Sequence, residues 1–348
     1  MAAFGLYSHI RANRVRSVFL IGGLFLLVYV LVFAGALAGE ALAEDAPFDV
    51  LVRRALADLP SAIPAATLAA LAWIAIAYFF HQKMLGAITH AHDVTRADAP
   101  ELYALLENLC ISRGLRTPRL AVMDTDALNA YASGLSESQY AVTVTRGLLE
   151  TLDRDEIEAV LAHELTHIRN RDVQLMVTAM IIAGAISFFG EMIFRWLRFA
   201  PMRRSRASSG DDRKGGGAAI AIVVAIALAV LAWALSVLIR FSLSRSREYL
   251  ADAGAVELTK NPDAMISALL KISGRSDLAA APSAVMEMCI DNPRAGFSSL
   301  FATHPPVADR IDALVRHAGG RLPASATGAP QPPAGENDAP THRRGPWG

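Results

Sequence analysis

Four long uncharged runs dominate the pattern of hydrophobic and polar positions along this chain. They cover residues 17–38, 62–80, 173–189 and 218–239. Runs of this kind are typical of helices that cross a hydrocarbon layer about 30 Å thick. We therefore predict four transmembrane helices. The first is expected to be an uncleaved anchor, and signal-peptide cleavage after the small residues of Ala36–Ala38 is the alternative.

The segments between these runs have the composition of a soluble domain. Three short β-like runs, 119–123, 128–132 and 140–145, come before a helical pattern at 153–170, and further helices are predicted at 244–258, 262–273 and 306–317. The predicted organisation begins with an anchor of two transmembrane helices (1–83) and the first half of the soluble domain (84–172). A membrane hairpin (173–239) follows, and its loop at 198–217 is basic and rich in Gly and Ser. The second half of the soluble domain (240–322) and a disordered tail (323–348) complete the chain.

One helical segment carries the pattern H-E-x-x-H at residues 163–167. Asp153 with Glu156 forms a capping-box signal for the start of this helix. Residues four apart lie on one helix face, so His163 and His167 can bind one metal ion with Glu164 beside it. The motif arises by accident in about one per cent of chains of this length, so a third ligand must come from elsewhere.

The segment after the fourth hydrophobic run supplies the candidate third ligand. Glu248 and Asp252 share one face of the helix predicted at 244–258. Two His and one Glu, with water in the fourth position, form an established catalytic zinc site. Asp252 could then accept a hydrogen bond from the far nitrogen of a metal-bound His. The alternative is a solvated charged face on which Arg245 and Arg247 pair with Glu248.

The overall composition restricts the possible functions. Hydrophobic residues make up 53% of the chain and charged residues 19%, and the formal net charge is zero. A membrane protein with a folded soluble part fits these values. There is no basic field and no interleaving of aromatic and basic residues, so neither nucleic acid nor nucleotide is an expected partner.

Four motifs in this order carry a family resemblance. They are Asn129-Ala130-Tyr131-Ala132-Ser133-Gly134, HELTHIRNRD at 163–172, SREYLADAGA at 246–255 and LFATHPPVADRI at 300–311. With the paired hydrophobic runs, they make the chain resemble the HtpX-type integral-membrane zinc metallopeptidases, a family similar to the CAAX prenyl proteases. The fold class expected from this resemblance is a mainly α membrane protein with an α+β, zincin-like catalytic domain and a small β-sheet beside the metal helix.

The resemblance also implies roles for individual residues. His163, His167 and Glu248 would bind one Zn²⁺ ion per chain, and Glu164 would be the general base. The segment Asn129–Gly134 would be the edge strand that pairs with substrate. His304 matches a family histidine near the site, with oxyanion stabilisation as its expected role, and Arg310 matches the arginine that follows it.

The resemblance further implies a bacterial inner-membrane protein that cleaves membrane or misfolded proteins on the cytoplasmic side, as protein quality control. Basic residues before the first run agree with a cytoplasmic catalytic segment, but the basic loop at 198–217 would then lie outside. Either the first two helices set the topology, or the last two form a hairpin that does not fully cross. The alternative functions are a prenyl-protein endopeptidase and a non-catalytic membrane scaffold.

Overall fold

The computed structural model describes residues 2–199, 216–241, 246–279, 281, 283–293 and 304–323. Most of the predicted loop at 198–217 and nearly all of the predicted tail at 323–348 lie outside these residues. Residues 300–303 of the motif at 300–311 also lie outside the described residues, so only 304–311 of this motif is described.

The four predicted membrane helices are confirmed, because four helices are long and apolar enough to cross a bilayer. They are α1 (Ala2–Ala43), α2 (Phe48–Thr89), α6 (Asp172–Phe199) and α7 (Gly216–Phe241). Helix α2 begins at Phe48, well before the second uncharged run, and continues through two prolines. Leu51 and Ala55, one turn apart, are fully buried in a cluster with Leu37 and Ala221, and this packing stabilises the helix ahead of the uncharged run.

The soluble part contains a four-stranded mixed sheet. Its strands, in the spatial order β1-β2-β4-β3, are β1 (Ala91–Val94), β2 (Arg119–Met123), β3 (Ala130–Ser133) and β4 (Ala141–Thr145). Strand β2 runs parallel to β4, while β1 and β3 are antiparallel to their neighbours. The sheet therefore ends at β3, which lies beside the helix that carries the H-E-x-x-H pattern.

The remaining helices surround this sheet and join it to the membrane part. They are α3 (Pro100–Arg113), α4 (Arg146–Thr151), α5 (Arg154–Asn170), α8 (Ser246–Thr259), α9 (Pro262–Ile272), α10 (Ser283–Met286) and α11 (Val307–Ala318). Asp153 and Glu156 form the predicted capping box of α5. Glu156 also accepts hydrogen bonds from Ser267 (2.5 Å) and Lys271 (2.6 Å) of α9, so one buried carboxylate both caps α5 and holds α9 against it.

Helices α5 and α8 approach each other closely at one glycine. A Cβ atom added to Gly254 of α8 would lie 2.4 Å from Cγ2 and 2.7 Å from Oγ1 of Thr166 on α5. Thr166 cannot easily move away, because it is β-branched and its hydroxyl donates to the carbonyl of Ala162 (2.8 Å). The absence of a side chain at residue 254 therefore sets the separation of the two helices.

We expect Gly254→Ala to destabilise the fold by about 1–3 kcal/mol, the usual cost of overpacking, despite the higher helix propensity of Ala. The measurement is the thermal unfolding midpoint of the purified protein. Gly190→Ala in α6 is the control, because nothing lies within 4 Å of the added Cβ there. Thr166→Ala should partly rescue Gly254→Ala, and strictly additive effects of the two changes would contradict this origin of the destabilisation.

Candidate metal and catalytic centre

Helix α5 brings together the three residues of the H-E-x-x-H pattern in a fully buried position. His163, Glu164 and His167 are each less than 5% exposed. The Nε2 atoms of the two histidines lie 3.1 Å apart, with the rings nearly perpendicular. This follows from the helical spacing of four residues, which points both imidazoles to one side of α5.

Helix α8 adds a carboxylate at the point where these imidazoles converge. Glu248 Oε2 lies 3.7 Å from Nε2 of His163 and 3.7 Å from Nε2 of His167. Two atoms bound about 2.0–2.1 Å from a tetrahedral zinc ion lie about 3.3 Å apart, so the three separations bracket the spacing that zinc requires. These three side chains form a group able to hold a metal ion.

The electrostatics of this group also fit a bound cation. Burial lowers the pKa of His167, but the carboxylates of Glu248 and Asp172 outweigh that effect and raise the pKa to about 10. Burial raises the pKa of Glu248, while His304 and His167 together hold it well below its usual range. The centre thus favours positive charge where the ligand atoms meet.

A carboxylate faces the far nitrogen of each histidine. Asp252 Oδ1 lies 2.9 Å from Nδ1 of His163, as expected from the sequence, and Asp172 Oδ2 lies 3.0 Å from Nδ1 of His167. These contacts turn both Nε2 atoms towards the centre. Asp172 was not predicted as a site residue, although it is the last residue of the motif at 163–172. It follows Arg171, whose left-handed conformation (φ 61°) ends α5.

Arg310 of α11 binds the carboxylate that faces His163. Its guanidinium donates to both oxygens of Asp252 (2.6 and 2.8 Å) and to the carbonyl of Ile290 (2.7 Å), and the side chain is 1% exposed. Burial raises the pKa of Asp252, but Arg310 and His163 lower it to about 2. Asp252 is therefore ionised. A second buried arginine, Arg247, places Nε 3.3 Å from Oε1 of Glu248, so the alternative of a solvated charged face is wrong for this residue.

Glu164 is buried beside the histidines and has a different environment from the other carboxylates. Its two oxygens have no well-formed hydrogen bond to any residue that the structure describes. Burial raises the pKa of Glu164, while the two histidines and the nearby backbone N–H of Ala132 oppose the increase. A carboxyl group with a raised pKa at a metal centre is suited to taking up and releasing a proton.

His304 reaches the centre from the segment before α11. Its Nδ1 lies 3.3 Å from Glu248 Oε2, and its Nε2–H donates to the carbonyl of Glu287 (3.1 Å). The structure thus brings together the five residues at 163, 164, 167, 248 and 304, which lie on three separate segments of the chain.

Strand β3 presents its open edge to this centre. The carbonyl of Asn129 faces β4, where it accepts from the N–H of Thr145 (3.0 Å), so the alternate residues Ala130 and Ala132 face the other way. Ala132 accordingly lies near Glu164, while the carbonyl of Ala130 accepts from the N–H of Ile290 (2.9 Å). The open edge is therefore occupied at Ala130 and, among the described residues, has no further strand partner beyond it.

The side chain of Asn129 has a structural contact that the motif alone did not reveal. It is fully buried and donates to the carbonyls of Ser276 (2.8 Å) and Asp291 (3.0 Å). It therefore fixes the segment after α9 and the segment after α10 to the start of β3, rather than facing the centre.

Comparisons with known proteins identify the family of this chain. A model of peptidase family M48 matches residues 96–318. The chain is 41% identical over 252 residues to a protease HtpX homolog of Bacteroides fragilis, covering 70% of this chain and 77% of that protein. It is 33% identical over 317 residues to a protease HtpX homolog of Streptococcus uberis, covering 90% and 99%.

Among solved structures, the crystal structure of S. mikatae Ste24p is similar at 20% identity with a TM-score of 0.42, covering 90% of this chain and 67% of that one. The family model extends over more than half of the sequence, and the two bacterial relatives each align with more than two thirds of it. The chain belongs to peptidase family M48.

Proposed function

We propose that this protein is a zinc-dependent endopeptidase that cleaves membrane or misfolded proteins on the cytoplasmic side of the membrane. Its family and its four membrane helices make it a multi-pass membrane metallopeptidase. Its substrates are polypeptides, and its membrane helices lie in a lipid bilayer. The proposal of zinc-dependent cleavage rests on one observation. The side chains of His163, His167 and Glu248 converge beside the buried carboxylate of Glu164, which has no hydrogen-bond partner among the described residues.

In this proposal the three ligands would hold one zinc ion. When bound, zinc polarises a carbonyl and lowers the pKa of its water towards 7. Glu164 would accept a proton from the attacking water and pass it to the leaving amine, because its carboxylate lies next to the three ligand side chains and is not engaged by another side chain. The backbone N–H of Ala132 lies near this carboxylate and favours its ionised form.

Other residues of the centre would hold these groups in position. Asp252 and Asp172 fix the two imidazoles, and Arg310 keeps Asp252 ionised. We assign oxyanion stabilisation to His304, whose Nδ1 faces the centre 3.3 Å from Glu248. The open edge of β3 would receive the substrate by strand addition.

The cytoplasmic orientation rests on charge. Arg11, Arg14 and Arg16 precede the apolar part of α1, and positive residues favour the cytoplasmic side of a first helix. Because two spans separate these residues from the sheet and from α5, the catalytic centre would lie on the same side. Labelling of single cysteines placed in β1 and in the 44–47 turn would test this orientation.

We expect Glu164→Gln to abolish cleavage of a generic unfolded protein while leaving zinc bound, because the amide cannot accept the proton but the three ligands remain. The measurements are zinc content and the initial cleavage rate of purified full-length protein. A chelator should abolish the wild-type rate, and added zinc should restore it.

Glu158→Gln is the matched control, because it makes the same change on the same helix, away from the ligands, and should leave the rate unchanged. A zinc-loaded Glu164→Gln variant with near wild-type activity would disprove the role of this residue. A wild-type protein that binds zinc but cleaves nothing would instead favour the scaffold alternative.

We expect Asp252→Asn to weaken zinc binding by about 10–100-fold, the usual effect of losing a carboxylate behind a metal-bound histidine. The affinity can be measured by competition with a chromogenic chelator. The double variant Asp252→Asn/Arg310→Gln restores charge balance without restoring the carboxylate, and its affinity should stay low. Recovery of wild-type affinity in the double variant would show that Asp252 serves only to neutralise Arg310.

A further inference from the structure

A cavity of about 270 Å³ lies between the membrane helices α1, α2 and α6, at the end of the substrate edge. Its lining is mainly apolar and includes Ile21, Leu24, Ile74, Leu135, Thr178 and Ile181. No charged residue contributes to this lining. The space suits the apolar side chains of an extended segment and is too small for another helix.

The cavity is continuous with strand β3. Leu135 of its wall follows Ser133, the last residue of that strand, by two positions, and Gln174 of α6 donates to the Leu135 carbonyl (2.9 Å). Leu135 lies three positions after Ala132, whose backbone N–H is near Glu164. Three positions span at most about 11 Å of extended chain, so this wall of the cavity is at most that far from Ala132.

The opposite end of the same edge is already occupied. Cys289 forms an antiparallel bridge with Tyr131, and Ile290 donates to Ala130. A substrate strand can therefore extend along the edge only from the neighbourhood of Ala132 towards Leu135. The two directions away from the catalytic centre thus differ. One leads into an apolar cavity among membrane helices, and the other is blocked by the buried segment that contains Cys289 and Ile290.

Strand polarity assigns one half of the substrate to each direction. Like Cys289, an added strand is expected to be antiparallel to β3, since this is the more stable pairing. It would then pass Leu135 first and Ala130 last. Residues before the scissile bond would occupy the cavity, and residues after it would leave the sheet almost at once.

We propose that the cavity binds the apolar end of a membrane-spanning segment that lies on the N-terminal side of the scissile bond. The inference rests on the proposed peptidase function and narrows its substrates to one polarity. They are polypeptides whose hydrophobic segment precedes the cleavage site.

Two fusion proteins with the same unfolded linker test this polarity in mixed micelles. In the first, an apolar transmembrane segment precedes the linker and a soluble reporter follows it. In the second, the order is reversed. Filling an apolar pocket changes kcat/KM by about 10–200-fold, so we expect purified wild-type protein to cleave the first fusion at least about tenfold more efficiently. Mass spectrometry of the products locates the cut.

Variants connect the preference to the cavity. Ile21→Trp and Thr178→Leu fill it from α1 and from α6, and each should lower the ratio of the two kcat/KM values towards one. Val223→Trp adds the same bulk as Ile21→Trp at an exposed position of α7 outside the lining and should leave the ratio unchanged. An unchanged ratio in both cavity variants would overturn the assignment.

The remaining outcomes separate this inference from the function on which it rests. Equal cleavage of the two fusions, or a preference for the second, would overturn the inference while Glu164-dependent cleavage upholds the peptidase. Cleavage of a generic unfolded protein but of neither fusion would also overturn the inference and leave the peptidase function supported. If wild-type protein cleaves none of the three substrates, both the function and the inference fail.

Discussion

The contact between α5 and α8 is the constraint on which the rest of this structure depends. The two histidines lie on one helix, and the carboxylate that completes the ligand group lies on the other, after a membrane hairpin. Gly254 allows the helices to approach, and Asp252, one turn after Glu248, reaches His163 across the same interface. A wider separation would lose the ligand and its supporting carboxylate together, since both are on α8.

This interface buries an unusual number of ionisable groups. Isolated buried charges are costly, and they are tolerated only when paired and hydrogen-bonded. The ion pair of Asp252 with Arg310 meets this condition with two hydrogen bonds, and Lys271 and Ser267 do the same for Glu156. Glu164 and Arg247 do not meet it, because no described residue forms a good hydrogen bond with the carboxylate oxygens of Glu164 or the guanidinium nitrogens of Arg247. Arg247 has Glu248 beside it as an ion-pair partner, whereas the unbonded carboxylate of Glu164 is what a reacting group requires.

Local patterns in the sequence predicted the elements that depend on local physics. The capping box of α5 is confirmed because it involves residues three apart. Strand β1 was not predicted, because His92 and Asp93 are exposed and its partner β2 is separated from it in the sequence by the whole of α3. The run predicted at 128–132 begins two residues before β3 and ends one residue before its end, because the side chain of Asn129 binds loop carbonyls at the start of the strand. Contacts that join distant segments, such as Arg310 with Asp252, have no local signal.

The membrane helices also determine the geometry of the sheet edge. Gln82 of α2 donates to the carbonyl of Gln139 (3.0 Å) and accepts from the hydroxyl of Ser133 (3.1 Å), while Gln174 of α6 bonds to Leu135. Each glutamine belongs to a helix that also enters the bilayer, so β3 is fixed from two sides by membrane helices. Helix α6 begins at Asp172, whose carboxylate faces His167. Its first turn therefore positions this imidazole through Asp172 and the end of the sheet edge through Gln174. The candidate centre and the membrane part are therefore one structural unit, and a fragment without these helices would lose contacts that hold both the proposed metal ligands and the edge of β3.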